Sequence, residues 1–124
     1  MAKILLADDD ASSLEVMAAA LAAEGHEVLC AANGQEAHEM TVAERPDLVF
    51  LDIMMPVFDG YEACERMRKD PDVPATLPII FLSSADMDKR KLEQAGGTDH
   101  LSKRHMVVEL RDMLAKYLGP DARP

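Results

Sequence analysis

Three aspartates follow two apolar segments of the chain, and together they could bind a cation. Asp52 ends the apolar run that begins at Leu48, and Asp8 and Asp9 follow the run that begins at Ile4. Continuous apolar runs of this kind are typical of strands buried on both faces, and open α/β folds bind ligands beyond the carboxyl ends of such strands. If the two strands are neighbours, the three carboxylates share one crevice. Such a cluster requires a cation or raised carboxyl pKa values.

The rest of the sequence alternates between short apolar segments and longer segments with helical periodicity. The predicted strands span residues 3–7, 27–31, 48–52, 79–82 and 99–102. The predicted helices, counted from their capping residues, span 12–24, 33–44, 59–69, 86–95 and 105–118. This alternation predicts an α/β fold with a doubly wound, five-stranded parallel sheet. Right-handed crossovers favour the strand order 2-1-3-4-5, in which the first and third strands are neighbours.

Several polar residues are predicted to cap helices and not to take part in the crevice. Ser12 and Glu15 could form a capping box at the start of the first helix, and Gly25 could end that helix. Asp59 is interpreted as a helix cap, and Asp10 as a residue outside the site at the start of the first helix.

Length and charge restrict the class of protein. With 124 residues, the chain suits one domain, predicted over 1–119 with a frayed tail over 120–124. The net charge of -10 argues against direct binding to nucleic acid or to anionic membranes. No apolar stretch approaches the ~20 residues of a membrane span, and no signal peptide is visible. A cytoplasmic location is therefore expected.

Five segments carry a resemblance to a known family when they are read in order. They are Ile4–Asp9, Leu51–Pro56, Asp59–Gly60, Pro78–Ser83 and Leu101–Lys103. Together they resemble the receiver domain of bacterial response regulators, and the resemblance covers essentially the whole chain. It implies a flavodoxin-like fold and a phosphorylated aspartate. It also implies a signalling protein of a two-component or phosphorelay system that assists its own phosphorylation and dephosphorylation, and not an enzyme in the usual sense.

The resemblance also implies roles for individual residues. Asp52 would be the phosphoacceptor, Lys103 would pair with a phosphoryl oxygen, and Ser83 would donate a hydrogen bond to another oxygen. A divalent cation removes the charge repulsion that opposes attack by a carboxylate on a phosphoryl group. The ligands of Mg²⁺, or of Mn²⁺, would be Asp8 through water, Asp9, Asp52 and the backbone carbonyl of Met54.

The sequence departs from the family pattern in two places. Arg104 follows Lys103 where receivers usually have proline, and a cis bond before a non-proline residue costs ~2.5–4 kcal/mol, so a trans bond is expected. His100 stands three residues before Lys103, where receivers often have tyrosine or phenylalanine. Ser83 and His100 are therefore predicted to form the switch that responds to phosphorylation, with His100 replacing the usual aromatic ring.

The family also implies partners. The phosphoryl donor would be a sensor histidine kinase or a histidine phosphotransfer protein, and the chain would be a monomer or a phosphorylation-dependent dimer. A downstream protein target is expected near a cluster of basic residues and His100, although a solvated helix face is the alternative explanation of such a cluster. The residues of this region are Lys89, Arg90, Lys91, His100 and Arg104.

Two other functions remain compatible with the residues. A phosphorylation-independent interaction module on the same fold is suggested by Arg104 and His100. A phosphatase of the haloacid dehalogenase class is suggested by the spacing of Asp8 and Asp10. Against the phosphatase, the chain is short for that class, and Asp52 precedes the serine where such enzymes place their third acid after the lysine.

Overall fold

Five strands and five helices alternate along the chain in the computed structural model, which describes residues 2–83 and 88–119. The strands are β1 (Lys3–Ala7), β2 (Glu27–Ala31), β3 (Leu48–Asp52), β4 (Ile79–Ser83) and β5 (Asp99–Ser102). The helices are α1 (Ala11–Ala23), α2 (Gly34–Glu44), α3 (Gly60–Lys69), α4 (Lys89–Ala95) and α5 (Met106–Leu118). The predicted tail over 120–124 lies outside the described residues. Within the described ranges, no helix has both the length and the apolar content needed to cross a membrane.

The strands form one parallel sheet in the order β2-β1-β3-β4-β5, so the predicted fold class and topology are confirmed. Every residue of β3 and β4 is buried, as expected for central strands covered on both faces. Successive side chains of β3 enter two separate cores: Leu51 contacts the core under α2, α3 and α4, and Phe50 contacts the core under α1 and α5. Because the sheet is held from both sides, the carboxyl ends of β1 and β3 have fixed positions.

The ends of the helices confirm some of the capping predictions and correct others. Asp10, not Ser12, is the N-cap of α1, and its carboxylate accepts hydrogen bonds from the backbone N–H groups of Ser12 and Ser13. The predicted capping box is therefore wrong, because the aspartate two residues earlier already satisfies those donors. Gly25, with φ of 86°, follows the end of α1 as predicted.

The predicted start of the fourth helix is also corrected. Asp88 is the N-cap of α4 and accepts from the backbone N–H groups of Arg90 and Lys91, so the described helix begins at Lys89 and not at residue 86. Residues 84–87 lie outside the described part of the chain.

The loop between β3 and α3 is held close to the sheet by a glycine. A Cβ at Gly60 would lie 2.3 Å from the backbone oxygen of Asp52, so a larger residue would force the loop away from the strand. The backbone N–H of Gly60 donates to the carbonyl of Ile53 at 2.7 Å. Farther along, the guanidinium of Arg66 lies 3.9 Å from the centroid of the Phe58 ring. The start of α3 and the end of β3 are therefore tied to each other.

The same loop contains a strained residue. Val57 has φ of 70° and is 65% exposed. A left-handed backbone is unfavourable for any residue with a Cβ and is a true outlier for a β-branched one. Exposure means that Val57 contributes little burial to offset this strain.

We expect Val57→Gly to stabilise the protein. Relief of a left-handed conformation gains ~1–2 kcal/mol, and the extra freedom of glycine in the unfolded chain removes ~0.5–1 kcal/mol, so the net gain is up to about 1.5 kcal/mol. The measurement is urea unfolding, with Thr76→Gly as the control, because Thr76 is also an exposed loop residue but has no positive φ. A loss of stability in Val57→Gly equal to that in Thr76→Gly would contradict the strain.

Candidate functional site

The three predicted acids meet at the carboxyl edge of the sheet. Asp52 ends β3, while Asp8 and Asp9 follow β1, and these strands are neighbours. One carboxylate oxygen from each acid can be chosen so that all three lie within 4.8 Å of one another. Asp8 and Asp52 are buried, whereas Asp9 is exposed. The crevice thus holds two buried acids and has one at its mouth.

Lys103 joins this cluster from the end of β5, across the intervening strand β4. Its backbone N–H donates to the carbonyl of Ser83 at 2.8 Å. Its Nζ lies 2.8 Å from Oδ2 of Asp8 and donates to Oδ2 of Asp52 at 3.1 Å. Burial alone would lower the pKa of Lys103, but the two neighbouring carboxylates outweigh burial and raise the pKa above its ordinary value.

Asp52 has a strongly perturbed ionisation. Burial raises its pKa to about 6, and the neighbouring carboxyl of Asp8 adds to the increase, while the hydrogen bond and charge of Lys103 oppose it. Two close carboxylates disfavour each other's charged forms, and desolvation has the same effect. The ammonium group of Lys103 therefore does not fully compensate the negative charge of Asp8 and Asp52.

The donor set fits a divalent cation. Oδ1 of Asp8 accepts from the backbone N–H of Asp10, whereas its buried Oδ2 has the ion pair with Lys103 at 2.8 Å but no hydrogen bond within the described residues. The neighbouring ligands, Asp9 and Asp52, are also carboxylates, and hard oxygen ligands of this kind suit Mg²⁺. Such an ion would neutralise the excess negative charge and supply a partner for the buried oxygen.

The acids open into a larger cleft, with a volume of about 610 Å³. Met54 lines it with a side chain that is 76% exposed. Asp10, which was predicted to lie outside the site, also lines the cleft, because the helix that it caps starts at the edge of the cleft. Asp59 lines it as well and caps α3 as predicted, accepting from the backbone N–H of Glu62 at 2.8 Å.

The two predicted switch residues lie on neighbouring strands. Ser83 is buried at the end of β4 and lines the cleft. His100 on β5 pairs in register with Phe81 of β4, and its ring is partly exposed, with Nδ1 3.9 Å from Oδ1 of Asp99. The Lys103–Arg104 bond is trans, because the described residues include no cis peptide bond.

Sequence reasoning did not place every residue of the cleft wall, and it missed the importance of one glycine. Tyr61 and Lys91 line the cleft beyond the acids, and Gly60 permits the close approach of α3. The sequence carries a partial signal for Tyr61, since it follows directly after the predicted cap Asp59 and Gly60. Lys91 carries no local signal of this kind, because its place in the cleft depends on how α4 packs against α3.

The strand order and the acids at the ends of β1 and β3 define the class: a flavodoxin-like, doubly wound protein with its site at the switch point of the sheet. Residues 4–115 match the family described as the response regulator receiver domain. The chain belongs to this family of two-component signalling domains, so the resemblance is confirmed. The family match does not support the haloacid dehalogenase alternative.

Individual relatives agree with this assignment. The chain is 34% identical over 105 residues to the protein PilH of Pseudomonas aeruginosa, covering 83% of this chain and 86% of PilH. It is 31% identical over 112 residues to the DNA-binding regulator RpaA of Synechocystis, covering 89% of this chain but only 46% of RpaA. The chain thus spans about half the length of some of the relatives that it matches.

A solved structure provides a comparison for the site. The receiver domain of a sensor histidine kinase from Pseudomonas aeruginosa, with a magnesium ion coordinated in its active site cleft, is 31% identical and has a TM-score of 0.86. The alignment covers 95% of this chain and 98% of that domain.

The raised pKa of Asp52 predicts how stability depends on pH. A carboxyl whose pKa is higher in the folded state binds a proton more tightly there, so the metal-free protein loses stability as pH rises from about 4 through about 6. Asp52→Asn removes this loss, and we expect it to stabilise the metal-free protein by up to about 3 kcal/mol at neutral pH, with little difference below about pH 4.

The measurement is urea unfolding across this pH range in the presence of a chelator. Asp72→Asn is the control, because it removes one negative charge from an exposed position in the loop after α3. If Asp52→Asn raises the free energy of unfolding equally at low and neutral pH, or if Asp72→Asn has the same effect, the raised pKa of Asp52 is contradicted.

Proposed function

We propose that this chain is a phosphoacceptor in which Asp52 takes a phosphoryl group from a phosphohistidine donor. The donor would be a sensor histidine kinase or a histidine phosphotransfer protein, and the product would signal through protein contacts in the cytoplasm. The observation that carries the proposal is the position of Asp52. Its carboxylate ends the central strand, accepts from Nζ of Lys103 at 3.1 Å, and has the carboxylates of Asp8 and Asp9 beside it.

Each side chain has a distinct part in this reaction. Asp52 supplies the attacking oxygen, and its pKa of about 6 leaves it mostly ionised at neutral pH. Lys103 neutralises a phosphoryl oxygen as a point charge, and the hydroxyl of Ser83 donates to another. Mg²⁺ or Mn²⁺, when bound, removes the repulsion between the carboxylate and the incoming phosphoryl group. Its ligands would be Asp9, Asp52, the backbone carbonyl of Met54 and, through water, Asp8.

We expect Asp52→Asn to abolish stable phosphorylation, because the amide lacks a nucleophilic oxygen anion. The measurement is the mass of the intact protein after incubation with Mg²⁺ and a phosphohistidine donor or acetyl phosphate. Asp10→Asn is the matched control, since asparagine still caps a helix and the same charge is lost from the same cleft. A phosphoryl group gained equally by Asp52→Asn would exclude Asp52 as the acceptor.

The role of the metal is tested at Asp9, with Asp10→Asn again as the control. Asp9→Asn should weaken Mg²⁺ binding, measured by titration, and should slow phosphorylation at limiting Mg²⁺ more than Asp10→Asn does. Equal affinity in wild type and Asp9→Asn would remove Asp9 from the ligand set. Phosphorylation that fails in the wild-type protein with every donor would favour a phosphorylation-independent interaction module.

Phosphorylation is proposed to reach the partner through Ser83 and His100. If the Ser83 hydroxyl moves toward a phosphoryl oxygen, it leaves space beside β5, and the His100 ring, now partly exposed, can turn inward. The downstream partner would then contact the exposed residues near this strand, in a monomer or in a phosphorylation-dependent dimer. The basic members of that region are Lys89, Arg90, Lys91 and Arg104.

We expect the NMR signals of the His100 ring to change when beryllofluoride, a phosphoryl mimic, is added with Mg²⁺. The ring should become less accessible to solvent because it enters the space left by Ser83. His105 serves as the internal control, since it is an exposed histidine at the start of α5. If the His100 ring has the same environment in both states, the output does not use this ring.

A further inference from the structure

The cleft extends well beyond the acids and Lys103, and a second lysine forms part of its far wall. Of the basic run Lys89–Lys91, Lys91 is the residue that lines the cleft, together with Tyr61 and Asp88. Asp88 fixes the first turn of α4 by accepting from the backbone N–H groups of Arg90 and Lys91 at 3.0 and 3.4 Å. The backbone of Lys91 is thus held at the edge of the site.

An aromatic ring keeps the Lys91 side chain at the cleft. Nζ of Lys91 lies 5.9 Å from the centroid of the Tyr61 ring, within the range of a cation–π attraction. The Tyr61 ring is itself packed against Phe81 of β4, with ring centroids 5.1 Å apart. This arrangement directs the ammonium group toward the cleft, although the residue is exposed.

The negative charge of the cleft repels the anionic phosphodonor that has to enter it. Among the described residues, the cleft wall and the buried Asp8 carry two ammonium groups, Lys91 and Lys103, and six carboxylates, so a bound divalent cation still leaves negative charge in excess there. The carboxylates are those of Asp8, Asp9, Asp10, Asp52, Asp59 and Asp88. Lys103 contacts the buried acids Asp8 and Asp52, where it meets the phosphoryl group only at the reacting atoms, whereas Lys91 is the exposed ammonium group that an incoming anion meets first.

We propose that Lys91 is a positioning residue that attracts small anionic phosphodonors of the acyl phosphate class into the cleft. This inference rests on the proposed function of Asp52. During transfer from an acyl phosphate, an Asp52 oxygen bonds to phosphorus while the bond from phosphorus to the acyl oxygen breaks. The carboxylate product leaves with that electron pair. Lys91 takes no proton and forms no bond; its charge lowers the free energy of the donor in the cleft.

The test compares Lys91→Gln with Lys89→Gln, which removes the same charge from the same helix. With acetyl phosphate and saturating Mg²⁺, Lys91→Gln should raise the half-saturating donor concentration about three- to tenfold near 0.1 M ionic strength, because the Debye length there is about 10 Å. The effect should fall below about twofold near 1 M, where the Debye length is about 3 Å. Lys91→Arg should restore the wild-type value, and the limiting rate and Mg²⁺ affinity should stay unchanged.

Three outcomes would overturn the inference. They are equal effects of Lys91→Gln and Lys89→Gln, an effect of Lys91→Gln that does not depend on salt, and a failure of Lys91→Arg to restore the donor affinity. Each requires that the wild-type protein be phosphorylated at Asp52. If Asp52→Asn gains a phosphoryl group as readily as wild type, the proposed function fails, and that result is distinct from any of these three.

Discussion

The fold must offset the repulsion between two buried carboxylates, those of Asp8 and Asp52, which it holds close together. Burial and the neighbouring acid raise the pKa of Asp52 to about 6, so the site is unfavourable for folding at neutral pH without a cation. Native proteins are stable by only about 5–15 kcal/mol, so this cost is a considerable fraction of the total. The fully buried strands β3 and β4, with a core on each face, provide the opposing free energy.

The geometry of the site follows from connections that cross the sheet. Lys103 lies beyond β5, yet its Nζ contacts Asp8 and Asp52 on the far side of β4. Its backbone is fixed by the bond to Ser83, so the end of β4 and the loop after β5 share one anchor. Gly60 holds α3 against the backbone of Asp52. Asp52 is therefore in direct contact with the loop after β5 and with the start of α3.

Electrostatics also explains the outer part of the cleft. A site rich in carboxylates binds cations well but repels phosphorylated donors, and an acidic chain of net charge -10 adds to that repulsion. Lys103 contacts the acids themselves, whereas Lys91 lies beside Tyr61 on the cleft wall. The basic residues at the start of α4 thus need not share one role, although they are consecutive in sequence.

The sequence by itself determined the alternation of strands and helices, the strand order and the meeting of Asp8, Asp9 and Asp52, because apolar runs and crossover rules act over short stretches. It did not determine the cap of α1, where Asp10 satisfies donors that Ser12 was expected to serve. Only the tertiary structure decided the raised pKa of Asp52, the contacts of Lys103 and the place of Lys91. These features depend on distances between side chains that are far apart in the chain. Tertiary packing and burial set those distances, and the local sequence pattern does not.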